Sequence, residues 1–119
     1  MGANDMTSEG GQLRIPENES VANFEEIVET ANQNYETLAI GPFPVGKPEQ
    51  DDRIDRLSEL YAQKAAALRV PYLPVSHILR NSDVWQKSVA EQDGCHPGAA
   101  GYALVADMVL SWDAWWFKK

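Results

Sequence analysis

The sequence holds two histidines, His77 and His96, so any imidazole acid–base chemistry has to use one of them. His96 stands in Gln92-Asp93-Gly94-Cys95-His96-Pro97-Gly98. A carboxylate three residues before a histidine, in a turn containing glycine, can fold back onto Nδ1–H. That bond fixes the tautomer, stabilises the imidazolium and leaves Nε2 free as a general base. The plainer reading has Asp93 capping a turn and His96 opening a helix. Near the start, Gly2-Ala3-Asn4-Asp5 offers an asparagine in a glycine turn, whose amide NH₂ can be aimed at a developing oxyanion. Taken alone, Asn and Asp in such a place make turns. His77 follows a short apolar segment and reads as a hydrogen-bonded loop histidine. Cys95 adjoins His96, but neighbours in a tight turn point apart, which argues against a thiol nucleophile. As the single cysteine, it excludes an internal disulfide and any multi-cysteine metal site. Asp51, Asp52 and Asp55 read as a solvated helix start and not as a metal site. No metal and no cofactor are expected.

These residues need elements to position them. Met1–Ser20 has almost no apolar periodicity and reads as a long loop. Val21, Phe24, Ile27, Val28, Ala31 and Tyr35 then recur at spacings of three and four, the stripe of a three-turn helix with Ser20 as its N-cap. Thr37-Leu38-Ala39-Ile40 is a short apolar run stopped by Gly41-Pro42, and a buried strand fits it. Gly41 to Gln50 is a loop. Asp51-Asp52 open a second helix, buried through Ile54, Leu57, Tyr61, Ala65 and Leu68. A second strand falls in Val70–Val75, where Pro71 and Pro74 confine it to a sheet edge. Ser76–Pro97 reads as polar and irregular. A last helix begins at Gly98 and carries Leu104, Val105, Met108 and Val109, with Trp112, Trp115 and Trp116 sharing one of its faces at i, i+3 and i+4. Core or interface packing is the ordinary role of those tryptophans; a lipid-binding tail, with Phe117 and Lys118-Lys119 beside them, is the sharper one. Two strands about 30 residues apart with a helix between them form a βαβ unit with a parallel pair. The fold class is α/β.

The two motifs, in this order, resemble the SGNH hydrolases, also called the GDSL esterase/lipase family. Gly2-Ala3-Asn4-Asp5 resembles the family's third block, and Asp93-Gly94-Cys95-His96-Pro97 resembles its fifth. Gly98-Ala99-Ala100-Gly101-Tyr102 resembles the helix start that follows the fifth block. Gly41-Pro42 and the helix leading to Val70-Pro71-Tyr72 resemble the middle region. The resemblance implies a flavodoxin-like three-layer fold with a shallow ester site at the strand ends. It also implies metal-free hydrolysis of carboxylic esters through an acyl-enzyme. Carried over, Asn4, with Gly2 in its turn, serves the oxyanion hole. His96 is the base and then the acid, and Asp93 orients it.

The sequence departs from that pattern. The family's nucleophilic serine sits in a Gly-Asp-Ser block, followed by a second block with an oxyanion glycine, and neither is present in these 119 residues. The strands of these blocks are missing with them: the expectation is a partial fold, residues 1–119 being the C-terminal part of one hydrolase-like domain. Three explanations stand open: a portion of a longer enzyme or its separate partner chain, self-association that recruits a serine such as Ser8, or a non-catalytic α/β interaction module. Ser8 is a poor nucleophile candidate, because nothing in Thr7-Ser8-Glu9-Gly10 forms the strained turn that presents one. The open strand edge predicts self-association or an N-terminal half-domain partner, beside a small-molecule ester substrate.

Composition sets outer limits. With 44% hydrophobic, 24% charged and 9% aromatic residues the chain is globular in type. A formal net charge of -8 without a basic segment disfavours nucleic acid and anionic membranes. The longest apolar stretch, Ala99–Leu110, is too short to span a bilayer, and no signal peptide is visible; the compartment is left open.

Overall fold

A computed structural model describes residues 1–117. Lys118 and Lys119, which the sequence sets beside the tryptophans, lie outside the described residues. The opening segment is more ordered than its composition suggests. A 3₁₀ turn at Asn4–Met6 leads into an antiparallel hairpin of β1 (Ser8–Glu9) and β2 (Gln12–Leu13), with Ser8 opposite Leu13. Gly10 and Gly11 make this hairpin possible, both at positive φ (59° and 82°), where a side chain is strained.

Helix α1 (Glu17–Asn34) starts a turn earlier than the apolar stripe predicts, with Pro16 at the N-cap and Glu17 and Glu19 at the positive end of its dipole. Ser20 is therefore inside the helix, buried, and not its cap. Strand β3 (Ala39–Ile40) follows, then α2 (Pro48–Ala67) and β4 (Tyr72–Leu73). Proline at the first helical position starts α2 three residues before Asp51. β3 and β4 pair in parallel, Ala39 with Tyr72 and Ile40 with Leu73, as the βαβ spacing requires. The strands are only two residues long because Gly41-Pro42 ends one and Pro71 and Pro74 flank the other.

Ser76–Pro97 is not irregular. It contains α3 (Ser76–Arg80) and α4 (Asp83–Ala90), the latter capped by the Ser82 hydroxyl, which accepts from the Trp85 N–H. The last helix, α5 (Ala99–Leu110), ends before the tryptophans, so these do not share a helical face. Trp115 and Trp116 instead stack in the segment beyond it, with ring centres 6.3 Å apart.

Two clusters form the core. Phe24 and Val28 of α1 meet Ile54, Leu57, Tyr61 and Ala65 of α2, with Met6 and Ala39 between them. Burying each of the larger aliphatic side chains contributes about 1.5–3 kcal/mol. Phe24 lies flat on Tyr61, ring centres 4.1 Å apart and 5° from parallel. The second cluster joins Val75, Leu79, Trp85 and Val89 to the inner face of α5. The architecture is α/β, and no helix among the described residues is long and apolar enough to cross a membrane.

Candidate functional site

Asn4 owes its position to α1 and α2. Gln50 donates to the Ala3 carbonyl at 2.9 Å, and Arg53 donates twice to the Met6 carbonyl at 3.0 and 2.8 Å. Ser20 donates to Asp5 Oδ2 at 2.7 Å and lies 2.7 Å from the Tyr61 hydroxyl, which donates in turn. Gly2 sits buried at φ 97°, and a Cβ there would come within 2.9 Å of that hydroxyl, so the turn admits no side chain at this place. Ala3, Asp5 and Met6 are thus tied to α1 and α2 through a carbonyl or a side chain, while the Asn4 carbonyl accepts only the Thr7 N–H of its own turn (3.1 Å). The Asn4 amide makes no hydrogen bond to a described residue and is exposed.

His96 is built from the other end of the chain. The Asp93 carboxylate accepts the backbone N–H groups of Cys95 (2.9 Å) and His96 (2.6 Å) on Oδ1, and His96 Nδ1 lies 2.7 Å from Oδ2. Gly94, at φ 80°, provides the left-handed residue this turn needs. The His96 N–H, then its imidazole, then the Cys95 N–H hold the Asp93 carboxyl well below the usual carboxylate range. An ionised Asp93 requires Nδ1 to carry the proton, which leaves the lone pair of Nε2 available. Ser88 anchors the far side of the turn: its buried hydroxyl accepts the N–H of Gly98 at 2.8 Å and of Gly101 at 3.1 Å.

The two halves meet in one cleft of about 360 Å³ at the end of β3. Asn4 and His96 both line it, with Ile40 and Gly41 from the strand end, Phe43 from the following loop and Tyr102 from α5. Phe43 meets Trp85 edge to face, ring centres 5.7 Å apart, and Trp85 backs the cleft while being itself 2% exposed. This is a largely apolar pocket with a hydrogen-bond donor and an imidazole among its lining residues.

The family model of the GDSL-like lipase/acylhydrolase family matches residues 1–104. The chain belongs to this family. A search of curated proteins finds no match. The matched span of this GDSL-like chain runs from the Asn4 turn through the Asp93–His96 turn and into α5, so both sides of the cleft fall within it.

Of the candidate residues, the structure brings Asn4, His96 and, through its Nδ1 bond, Asp93 together, with Gly2 buried beneath the Asn4 turn. Ser8 is exposed in the hairpin and does not line the cleft; no described serine does. Cys95 lines it, half-buried, as a free thiol. His77 stands apart, 3.6 Å from Asp55 and largely exposed. Asp51 is not solvated: it is 5% exposed. Among the described residues no three His, Cys, Asp or Glu side chains gather to hold a metal ion. Trp85 and Ser88 escape sequence reasoning because both sit in the segment that reads as irregular. The signal available was Ser82, an N-cap residue three positions before Trp85.

Proposed function

We propose that this chain carries the oxyanion donor and the general base of a serine ester hydrolase. The fold that goes with this reading is part of a flavodoxin-like three-layer domain, these residues being its C-terminal portion. The observation that supports it is one cleft open to both Asn4 and His96, with Asp93 bonded behind the imidazole. In this mechanism a serine hydroxyl attacks the ester carbonyl while His96 Nε2 takes its proton. Asn4 Nδ2–H donates to the oxyanion, and the imidazolium is stabilised by Asp93. Collapse expels the alcohol, protonated by His96. Water, activated by the same nitrogen, then releases the acid and restores the serine. The serine comes from polypeptide outside the cleft-lining residues, either adjoining this one or in a second copy.

The test is hydrolysis of p-nitrophenyl acetate and butyrate by the protein and by His96→Ala. A rate lost with His96 supports the assignment; a rate that survives the substitution overturns it. Mass spectrometry after labelling with a fluorophosphonate identifies the nucleophile. The second reading, a non-catalytic interaction module, is favoured by the lack of a serine among the cleft-lining residues. It predicts neither turnover nor label.

A further inference from the structure

Asp51 is a buried carboxylate that forms no ion pair among the described residues. Its Oδ1 accepts the Val45 N–H at 2.7 Å and its Oδ2 accepts the Gly46 N–H at 3.2 Å. Both donors belong to the loop between β3 and α2, whose Phe43, Pro44 and Val45 line the cleft. Burial pushes its carboxyl above the ordinary value, against the two N–H donors and the field of Arg80. Charge at this position is therefore costly, and the two loop amides receive what it gives in return.

The loop continues that contact to the base. Gly46 has φ 81°, and a Cβ on it would come within 2.9 Å of the Gly94 carbonyl oxygen. Gly94 is the residue inside the Asp93–His96 turn, and its N–H is bonded to the Val89 carbonyl at 3.1 Å. The backbone of the turn thus rests on α4 on one side and on Gly46 on the other. Gly46 is in turn fixed by Asp51.

We infer that Asp51 is a positioning residue: by clamping Val45 and Gly46 it sets where the Gly94 backbone rests, and so where His96 stands over the cleft. Asp51 touches neither the cleft nor His96. Its role in turnover rests on the hydrolase reading, whereas its role in placing the turn does not.

The two are separated by pairing NMR with kinetics. Asp51→Asn keeps an acceptor for Val45 and loses one charge-assisted bond to Gly46; Asp51→Ala loses both. Expected are changes in the Val45 and Gly46 amide resonances that extend to Gly94, Cys95 and His96 and to the His96 ring nitrogens, larger in the alanine variant. Gly46→Ala, with Asp51 intact, should perturb the same turn, because the new methyl meets the Gly94 carbonyl. This variant carries the test should Asp51→Ala fail to fold. Asp52→Asn is the control, since the exposed Asp52 carboxylate bonds only Arg80 (2.8 Å) and not the loop. Where ester is turned over, kcat should fall about tenfold to a hundredfold with KM little changed, the signature of a displaced base. Loop resonances that move in Asp51→Asn and Gly46→Ala while those of Gly94, Cys95 and His96 stay in place would overturn the inference. Coupled resonances without any turnover would leave the positioning intact and sink the hydrolase reading instead.

Discussion

The Asp93–His96 turn is held by local bonds, and two predictions follow from its chemistry. Asp93→Asn preserves an oxygen for the Cys95 and His96 N–H groups but removes the anion opposite Nδ1. The ring then loses its tautomer preference and the charge that stabilises its protonated form. Under the proposed hydrolase function, ester hydrolysis should drop about a hundredfold to ten-thousandfold, with the fold unchanged by circular dichroism. The second prediction concerns acid. The carboxyl of Asp93 is held below its ordinary value of about 3.9 by donors that exist only in the folded turn. A depressed value means the contribution is present above the ordinary value and is lost as pH falls through the depressed one. The Cys95 and His96 amide resonances should therefore hold their positions as pH is lowered past the point where a free aspartate titrates, and move only in stronger acid. Movement centred on the ordinary aspartate value would show that the turn does not hold Asp93 ionised.

At the scale of elements, the site depends on how α1 and α2 grip the N-terminal turn, and Ser20 is the joint. Its hydroxyl links Asp5 to the Tyr61 hydroxyl inside the core, where Tyr61 also stacks on Phe24. Ser20→Ala leaves the buried Tyr61 hydroxyl without this partner, at a cost of about 1–3 kcal/mol. Thermal unfolding should shift down by about 4 °C per kcal/mol lost. Amide exchange should quicken at Asn4–Met6 more than along α2; uniform loss of protection would refute a joint role for Ser20. This contact also shows what the sequence can disclose. The Asp93–His96 pair is legible because three residues of turn suffice to form it, and the parallel strands are legible because two apolar runs with a helix between them allow little else. The placing of Asn4 is legible only through the family resemblance. It is made by Gln50, Arg53 and Ser20, forty-odd residues away or within a helix start that Pro16 displaces. α4 is hidden for a different reason: it is eight residues long, so only Trp85 and Val89 mark its apolar face, with Ser88 buried beside them. α5 shows the opposite fault, since apolar residues continue past Leu110 although the helix does not.

The whole molecule measures 42 × 39 × 17 Å. Neighbouring layers in a folded domain lie about 10 Å apart, so 17 Å accommodates two layers and not three. The main helix–helix contacts run in chain order, α1 with α2, α2 with α3, α3 with α4 and α4 with α5. Tyr102, Leu110, Trp116 and Phe117 remain exposed on and after α5, and Ile40 is 43% exposed on β3. At β3 the Ala39 and Gly41 N–H groups go to the Pro71 and Leu73 carbonyls. Because N–H groups alternate along a strand, that of Ile40 points to the opposite edge, beside the cleft that Ile40 lines. We propose that a strand from a second copy pairs there and completes the cleft wall. Sedimentation should accordingly show association that deepens with concentration. Ile40→Pro is the decisive variant, since proline removes the outward N–H while leaving both bonds to β4 in place. It should weaken association by about tenfold, the worth of a hydrogen bond and the lost strand contact, without lowering helical content. A protein that sediments as a monomer and unfolds cooperatively at every concentration would remove the free edge from the account.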